Sequence, residues 1–267
     1  MAQGKQEINL TRKNMKKKIV LKIGTSTLTA GSDKISYGKI EDIARQLASL
    51  RDDYDIVVVS SGAIATAKQF IDINGHTKHV DSKQAMSAIG QPKLIGIYDE
   101  VFENFGLKVA QCLMTYRDFE DKTAKINTRK TIAKLLEHNY IPIVNENDTV
   151  AIEEIILGDN DKLSAYVASI INATTLVIAS DIDGLYDKNP HLNKDATLIE
   201  EITDLMHIAS FIQEKESTLG TGGMTSKIDA MKICQKKKIN VWIVNGGKNS
   251  FLIDALHNKI AFTRFTA

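Results

Sequence analysis

Short, wholly apolar runs alternate along the chain with stretches whose apolar residues recur every three to four positions. The runs KKIVLKIG (17–24), DIVVVSSG (55–62), LKVAQCLM (107–114), YIPIVNEND (140–148), TTLVIASD (174–181) and INVWIVNGG (239–247) read as strands, with IAFTRF (260–265) as a short C-terminal one. Most are apolar at consecutive rather than alternate positions, as expected of strands buried on both faces. Between them, YGKIEDIARQLASLRDD (37–53) brings Ile40, Ile43, Ala44, Leu47 and Leu50 onto one helical face. Further helices are expected over 82–105, interrupted or kinked at Gly90-Gln91-Pro92, and over 128–139, 161–172, 225–237 and 250–257. Buried strands alternating with amphipathic helices define an α/β class, a three-layer sandwich with a mostly parallel central sheet between two helix layers.

In such a sheet, ligands bind outside the carboxyl ends of the strands, so chemistry is sought in KIGTS, SSGAIA, NENDTVA, SDIDGLY and NGG. Lys22 lies inside an apolar strand, where an ammonium is rarely left without a counter-charge. Gly24, Thr25 and Ser26 follow it with a close-approach backbone and hydroxyl donors. Ser60 and Ser61 precede a glycine turn and a helix start. They read as an anion site or, more blandly, as an ordinary serine cap. NENDTVA and GDND supply Asn145, Glu146, Asn147, Asp148, Asp159, Asn160 and Asp161, joined by TVAIEEIIL, a candidate hairpin. Turn and cap chemistry explains part of this density. The excess suits the ammonium of an amino acid, a metal or a catalytic lysine. Near the C-terminus, GTGGMTSK (Gly220 to Lys227) has the content of a phosphate loop. Its spacing fits neither G-x-x-x-x-G-K-[ST] nor G-x-G-x-x-G.

Composition narrows the picture. The 267 residues carry 34 Lys plus Arg against 33 Asp plus Glu, which argues against bulk attraction to nucleic acid or an anionic membrane. No apolar run approaches the ~18 residues of a membrane span, and the polar N-terminus has no apolar core behind it, so no secretory signal is read. A cytoplasmic location is expected, with Cys112 and Cys234 as reduced, buried thiols. Residues 1–15 read as a polar extension, and 16–267 as one domain. The six histidines show no zinc spacing, so no metal held by protein ligands is expected. NGHTKHVDS lacks apolar periodicity, and the segment around 71–82 is expected to move.

Six stretches together carry a family resemblance: VLKIGTSTLT, VVSSGAIATA, IPIVNENDTVA, LGDNDKLSA, SDIDGLY and GTGGMTSKIDA. In this order and spacing they resemble the amino acid kinase family, and within it the branch that phosphorylates glutamate on its side-chain carboxylate. The match runs from about residue 17 to the C-terminus. Ser180-Asp181 and Ser226-Lys227 stand where the family often has Thr-Asp and Thr-Lys, and both keep a hydroxyl. The resemblance implies ATP and Mg²⁺ as cofactors and L-glutamate as substrate, in the first step toward proline. It divides the domain into an N-terminal glutamate half and a C-terminal nucleotide half. It implies Lys22 and Lys227 as the cations flanking the transferred group, with Asp161 holding both. Ser61, Asn145, Asp148 and Asn160 would bind glutamate. Lys22, Gly24, Thr25, Ser180, Asp181, Thr221, Gly222, Gly223, Met224, Thr225, Ser226 and Lys227 would line the nucleotide. Inhibition by proline and a homo-oligomer, with the 82–105 helix as a candidate interface, are also implied. Many members carry a C-terminal PUA domain; the sequence stops at Ala267, so neither that module nor RNA affinity is expected. A sibling kinase for another small acid, a non-catalytic sensor on the same sheet and a Rossmann dehydrogenase are the alternatives. The last lacks its glycine fingerprint. A degenerate sensor would be expected to have lost one lysine, and both are present.

Overall fold

The computed structural model describes residues 16–71, 79–151, 160–188, 190, 192–206, 208 and 222–267. The chain opens with β1 (Lys17–Ile23), α1 (Thr25–Leu28), α2 (Tyr37–Leu50), β2 (Tyr54–Ser60), α3 (Ala63–Lys68), α4 (Val80–Glu103) and β3 (Lys108–Met114). A 3-10 turn at Tyr116–Phe119 leads into α5 (Lys122–Glu137), β4 (Tyr140–Glu146), α6 (Asp161–Ile171) and β5 (Thr175–Ser180). The short strands β6 (Leu185–Tyr186), β7 (Leu198–Ile199) and β8 (Glu201–Ile202) follow, then α7 (Gly222–Gln235), β9 (Asn240–Asn245), α8 (Phe251–Leu256) and β10 (Thr263–Phe265).

Eight strands form one sheet in the order β3-β4-β2-β1-β5-β9-β10-β8, and β6 pairs with β7 in a separate antiparallel ribbon. The pairings from β3 to β9 are all parallel; β10 runs antiparallel to β9. β8 runs parallel to β10, so the α/β expectation holds with two reversed strands at one end of the sheet. Period-2 alternation divides the core. Ile19, Leu21 and Ile23 of β1 face the layer that contains α2, α4 and α8, whereas Val20 packs with α6 and α7 residues such as Leu163, Val167, Ile228 and Met231.

Several features differ from the sequence pattern. Helix α5 starts at Lys122, not 128, because the Asp121 side chain accepts a hydrogen bond from Ala124 N (2.6 Å) and caps it. Only Ile132 of that helix is fully buried, so apolar periodicity marks its first turns poorly. Helix α4 runs unbroken from Val80 to Glu103, with Pro92 inside it on the exposed face. Gly90 serves packing there: a Cβ at this position would lie 1.8 Å from the carbonyl oxygen of Ala63 on α3. The segment expected to move at 71–82 is helical from Val80 onward, and 72–78 lie outside the described residues. So do residues 1–15 and 152–159, which include most of the candidate hairpin (149–157) and Asp159. Finally, only Cys234 of the two free thiols is buried, and burial pushes its pKa up to about 12. Cys112 is half-buried because β3 is an edge strand.

Candidate active site

Five parallel strands, β4-β2-β1-β5-β9, deliver their carboxyl ends to one edge of the sheet. β1 is the switch point, with β2 on one side and β5 on the other: Lys22 lies level with Val59 of β2 and Ile178 of β5. Alternation puts Lys22 on the same face as Val20, the face covered by α6 and α7. Those two helices supply its neighbours. Lys22 Nζ is 2.7 Å from Asp161 Oδ1, and Lys227 Nζ is 3.1 Å from Asp161 Oδ2. Asp161 is fully buried, Lys22 nearly so, and Lys227 14% exposed at its side chain. Burial alone would push the Asp161 carboxyl up; the charges of Lys22 and Lys227 overcome it and hold the group below the ordinary carboxylate range. One buried anion thus bridges two cations drawn from the first strand and a late helix.

Asp161 is not a helix cap. The cap position of α6 is Asn160, and even its side chain makes no capping bond. Asn160 Nδ2 donates instead to Ser60 O (3.0 Å), Ser61 Oγ (3.3 Å) and Asn145 Oδ1 (2.7 Å). The bland reading of Ser60 and Ser61 fails in the same way. Gly62, in the left-handed region at φ 103°, caps α3, with no side-chain cap bond. Ser60 Oγ donates to Ser61 O (2.8 Å) and is 3.0 Å from Tyr98 Oη of α4.

The ends of β2 and β4 and the start of α6 therefore converge on a buried polar region. Asn145 (2% exposed), Asp148 (4%) and Asn160 (0%) each keep one buried polar atom without a hydrogen-bond partner among the described residues: Nδ2, Oδ1 and Oδ1 respectively. Unsatisfied buried polar groups are costly and rare. A donor and two acceptors in one region suit a ligand that carries both charges. Burial raises the Asp148 carboxyl, and a hydrogen bond from Ser87 Oγ to its Oδ2 opposes that rise.

Across β1, the β5 end offers Ser180, buried, whose Oγ is 3.1 Å from Asp181 Oδ1. Beside it, Gly246 N donates to Ser180 O (2.8 Å), and Asp183 Oδ1 receives Asn245 Nδ2 (3.0 Å) and pairs with Lys248 (2.5 Å). Thr25 is exposed in the first turn of α1, and Gly24 leaves room beside Lys22: a Cβ there would sit 3.5 Å from Nζ. The glycine-rich stretch is helical from Gly222, so Met224, Thr225, Ser226 and Lys227 occupy the first two turns of α7 rather than a loop. Thr221 lies outside the described residues. The amino end of this 14-residue helix lies at this edge, since Lys227 in its second turn reaches Asp161, and its dipole there favours an anion.

The sequence reading missed the contribution of α4. Gln84 Nε2 donates to Asp148 O (2.9 Å), Ser87 to the Asp148 carboxylate, and Gln91 Nε2 to Glu146 O (3.5 Å). The signal was available. Ser87 and Gln91 occupy the helix stripe shared with Leu94, Tyr98 and Val101, and a polar residue there must answer a polar partner.

The chain belongs to the amino acid kinase family, whose model matches residues 17–245. Among its relatives, a glutamate 5-kinase of Caldanaerobacter subterraneus subsp. tengcongensis is 43% identical over 249 residues, covering 91% of this chain and 65% of that protein. A glutamate 5-kinase of Clostridium acetobutylicum is 41% identical over 242 residues, 90% of this chain and 91% of that protein. The chain thus spans less than two thirds of the Caldanaerobacter relative but nearly all of the Clostridium one. In fold it is similar to an isopentenyl phosphate kinase (TM-score 0.63, 17% identity, 93% of this chain and 100% of that one) and to the UMP kinase of Ureaplasma parvum (TM-score 0.59, 19% identity, 94% and 99%).

Proposed function

We propose that this chain transfers the γ-phosphoryl group of ATP to the side-chain carboxylate of L-glutamate, giving L-glutamyl 5-phosphate and ADP, the first step toward proline. The observation that carries this reading is the Lys22–Asp161–Lys227 bridge, set between a polar space on the β2/β4 side and the β5/β9 strand ends. The glutamate 5-kinases at about 40% identity support the choice of substrate.

The chemistry asks little of a base. A glutamate side chain, with pKa about 4.3, is already ionised at neutral pH. Its oxygen attacks the γ-phosphorus, the bond to the β-bridging oxygen breaks, and ADP departs with that electron pair; no proton moves. The difficulty is bringing one anion onto another, so positioning and charge neutralisation dominate. Lys22, at the switch point, meets the transferred group from the β1 side and Lys227 from α7, and Asp161 keeps both oriented. Ser61, Asn145, Asp148 and Asn160 hold glutamate, with Asp148 on its α-ammonium. Ser180, Asp181, Gly24, Thr25 and the 221–227 stretch line the nucleotide. Among the described residues no cluster of three or more His, Cys, Asp or Glu is placed to cage a metal. Mg²⁺ carried on nucleotide phosphates usually keeps several waters and needs only one or two carboxylates from the protein. Bound there, it would neutralise the β and γ oxygens.

Hydroxylamine converts an acyl phosphate to a hydroxamate, so ATP, Mg²⁺ and a panel of acids test the substrate directly. L-Glutamate should give a strong signal, and L-aspartate or N-acetylglutamate far less, because a wrong ligand strands buried polar groups. A strong N-acetylglutamate signal would reassign the chain to a sibling activity. Proline competing at the glutamate space, a homo-oligomer that uses α4, and a cytoplasmic location belong to the same reading. No helix among the described residues is long and apolar enough to cross a membrane. Insensitivity to millimolar proline and a monomer by light scattering would remove the first two.

A further inference from the structure

We propose that Ser87, supported by Gln84 one turn earlier on α4, is a positioning residue for Asp148 and sets the preference for acids that carry an α-ammonium. This rests on the glutamate reading above, in which Asp148 meets that ammonium.

Asp148 lies just beyond β4, in a turn where Val150 N and Ala151 N both donate to Asn147 O. Such a turn does not by itself fix a side chain. Its described tethers come from α4: Gln84 holds the Asp148 carbonyl at 2.9 Å, and the Ser87 hydroxyl donates to Oδ2. The other carboxylate oxygen, Oδ1, is buried and has no partner among the described residues. A carboxylate with one oxygen anchored and the other open is presented to a ligand in a single orientation.

The same contact governs charge. Asp148 is 4% exposed, and burial favours its neutral form; the Ser87 hydrogen bond is the opposing influence. A neutral Asp148 would no longer repay the burial of an ammonium. Ser87 therefore supports both the direction and the ionisation of the group that tells glutamate from glutarate, the same diacid without the amine.

Helix α4 can do this because it is held rigidly on the other side. Gly90 packs against the α3 backbone, and Tyr98 reaches Ser60 at the β2 end. Its buried stripe thus touches both lips of the space, β2/α3 and β4.

The test is steady-state kinetics of wild type, Ser87→Ala and Ser87→Cys with L-glutamate and with glutarate, read as hydroxamate. Loss of a hydrogen bond to a charged group predicts a KM for L-glutamate raised about tenfold in Ser87→Ala. The kcat, the KM for ATP and kcat/KM for glutarate should change less than about twofold, and the glutamate-to-glutarate preference should fall about tenfold. Cysteine, a weak donor of similar size, should fall between. Wild-type preference retained in Ser87→Ala, or equal losses with both acids, would overturn the positioning role while leaving the glutamate reading intact. A wild type that makes no hydroxamate from L-glutamate would overturn both.

Discussion

Asp161→Asn is expected to lower kcat by roughly 10²-fold or more, the scale of one preorganised electrostatic contact, while the KM for ATP stays level or falls. The two parts have one cause. Asp161 neutralises Lys22 and Lys227 at 2.7 and 3.1 Å, and the two lysines come from opposite ends of the chain, on β1 and α7. Asparagine keeps the size and much of the hydrogen bonding but loses the charge. The cations then attract the nucleotide at least as well, since an anion near its phosphates is gone. They also repel each other and lose their shared orientation, so the transition state is stabilised less. Without nucleotide, two poorly paired buried cations should cost about 3–5 kcal/mol of stability, and ATP should restore more of the melting temperature in the variant than in wild type. The native carboxyl is held below its ordinary pKa. Its contribution is therefore full above about pH 4, where an unfolded Asp ionises, and is lost as pH falls through the lowered folded value. Lys227→Met should be comparably damaging. The double variant should be far less than multiplicative, because the groups act as a unit. Near wild-type turnover in Asp161→Asn would refute the bridging role.

Much of this site could be read from residues alone, and the reason is the strand. A lysine inside VLKIG has few places to put its charge, so period-2 alternation and the carboxyl-end rule locate Lys22 before any coordinates exist. The density of Asn and Asp in NENDTVA and GDND was equally visible. Local pattern could not say whether Asn160 and Asp161 cap a helix or face a ligand, because both uses favour the same residue types. Only tertiary placement decides: Asn160 spends its amide on Ser60, Ser61 and Asn145. The stretch from Gly220 to Lys227 has the content of a phosphate loop with a helix expected only from 225, yet glycine at a helix start is compatible with helix, and α7 begins at Gly222. Helix α4 was hardest to read. Gly90, Gln91 and Pro92 look like a break on local propensity, and the helix carries both polar and apolar residues on its buried stripe. The structure resolves the conflict by giving the glycine a neighbour that no sequence window contains.

That neighbour makes Gly90→Ala the second large effect expected. A methyl group at residue 90 would lie 1.8 Å from Ala63 O, 2.7 Å from Ala63 C and 3.1 Å from Ala67 N. On an isolated helix alanine would be favoured over glycine by up to about 1 kcal/mol, so propensity predicts stabilisation. Sterics predict the reverse, because the atoms in the way are backbone and cannot change rotamer. Helices α3 and α4 must separate by more than an ångström, and overpacking of this kind typically costs about 1–3 kcal/mol, occasionally more. The separation is also directional. α3 begins at Ala63, separated from Ser61 only by its cap Gly62, and α4 carries the Ser87 and Gln84 contacts to Asp148. Pushing them apart should open the glutamate space and leave β5, β9 and α7 in place. Thermal melts should therefore show a lower Tm, and kinetics at a permissive temperature a raised KM for L-glutamate with the KM for ATP nearly unchanged. Ala63→Gly should not rescue the variant, since the obstructing oxygen belongs to the main chain. A Gly90→Ala protein as stable as wild type, or one rescued by Ala63→Gly, would mean that α3 and α4 do not meet through backbone contact at this point.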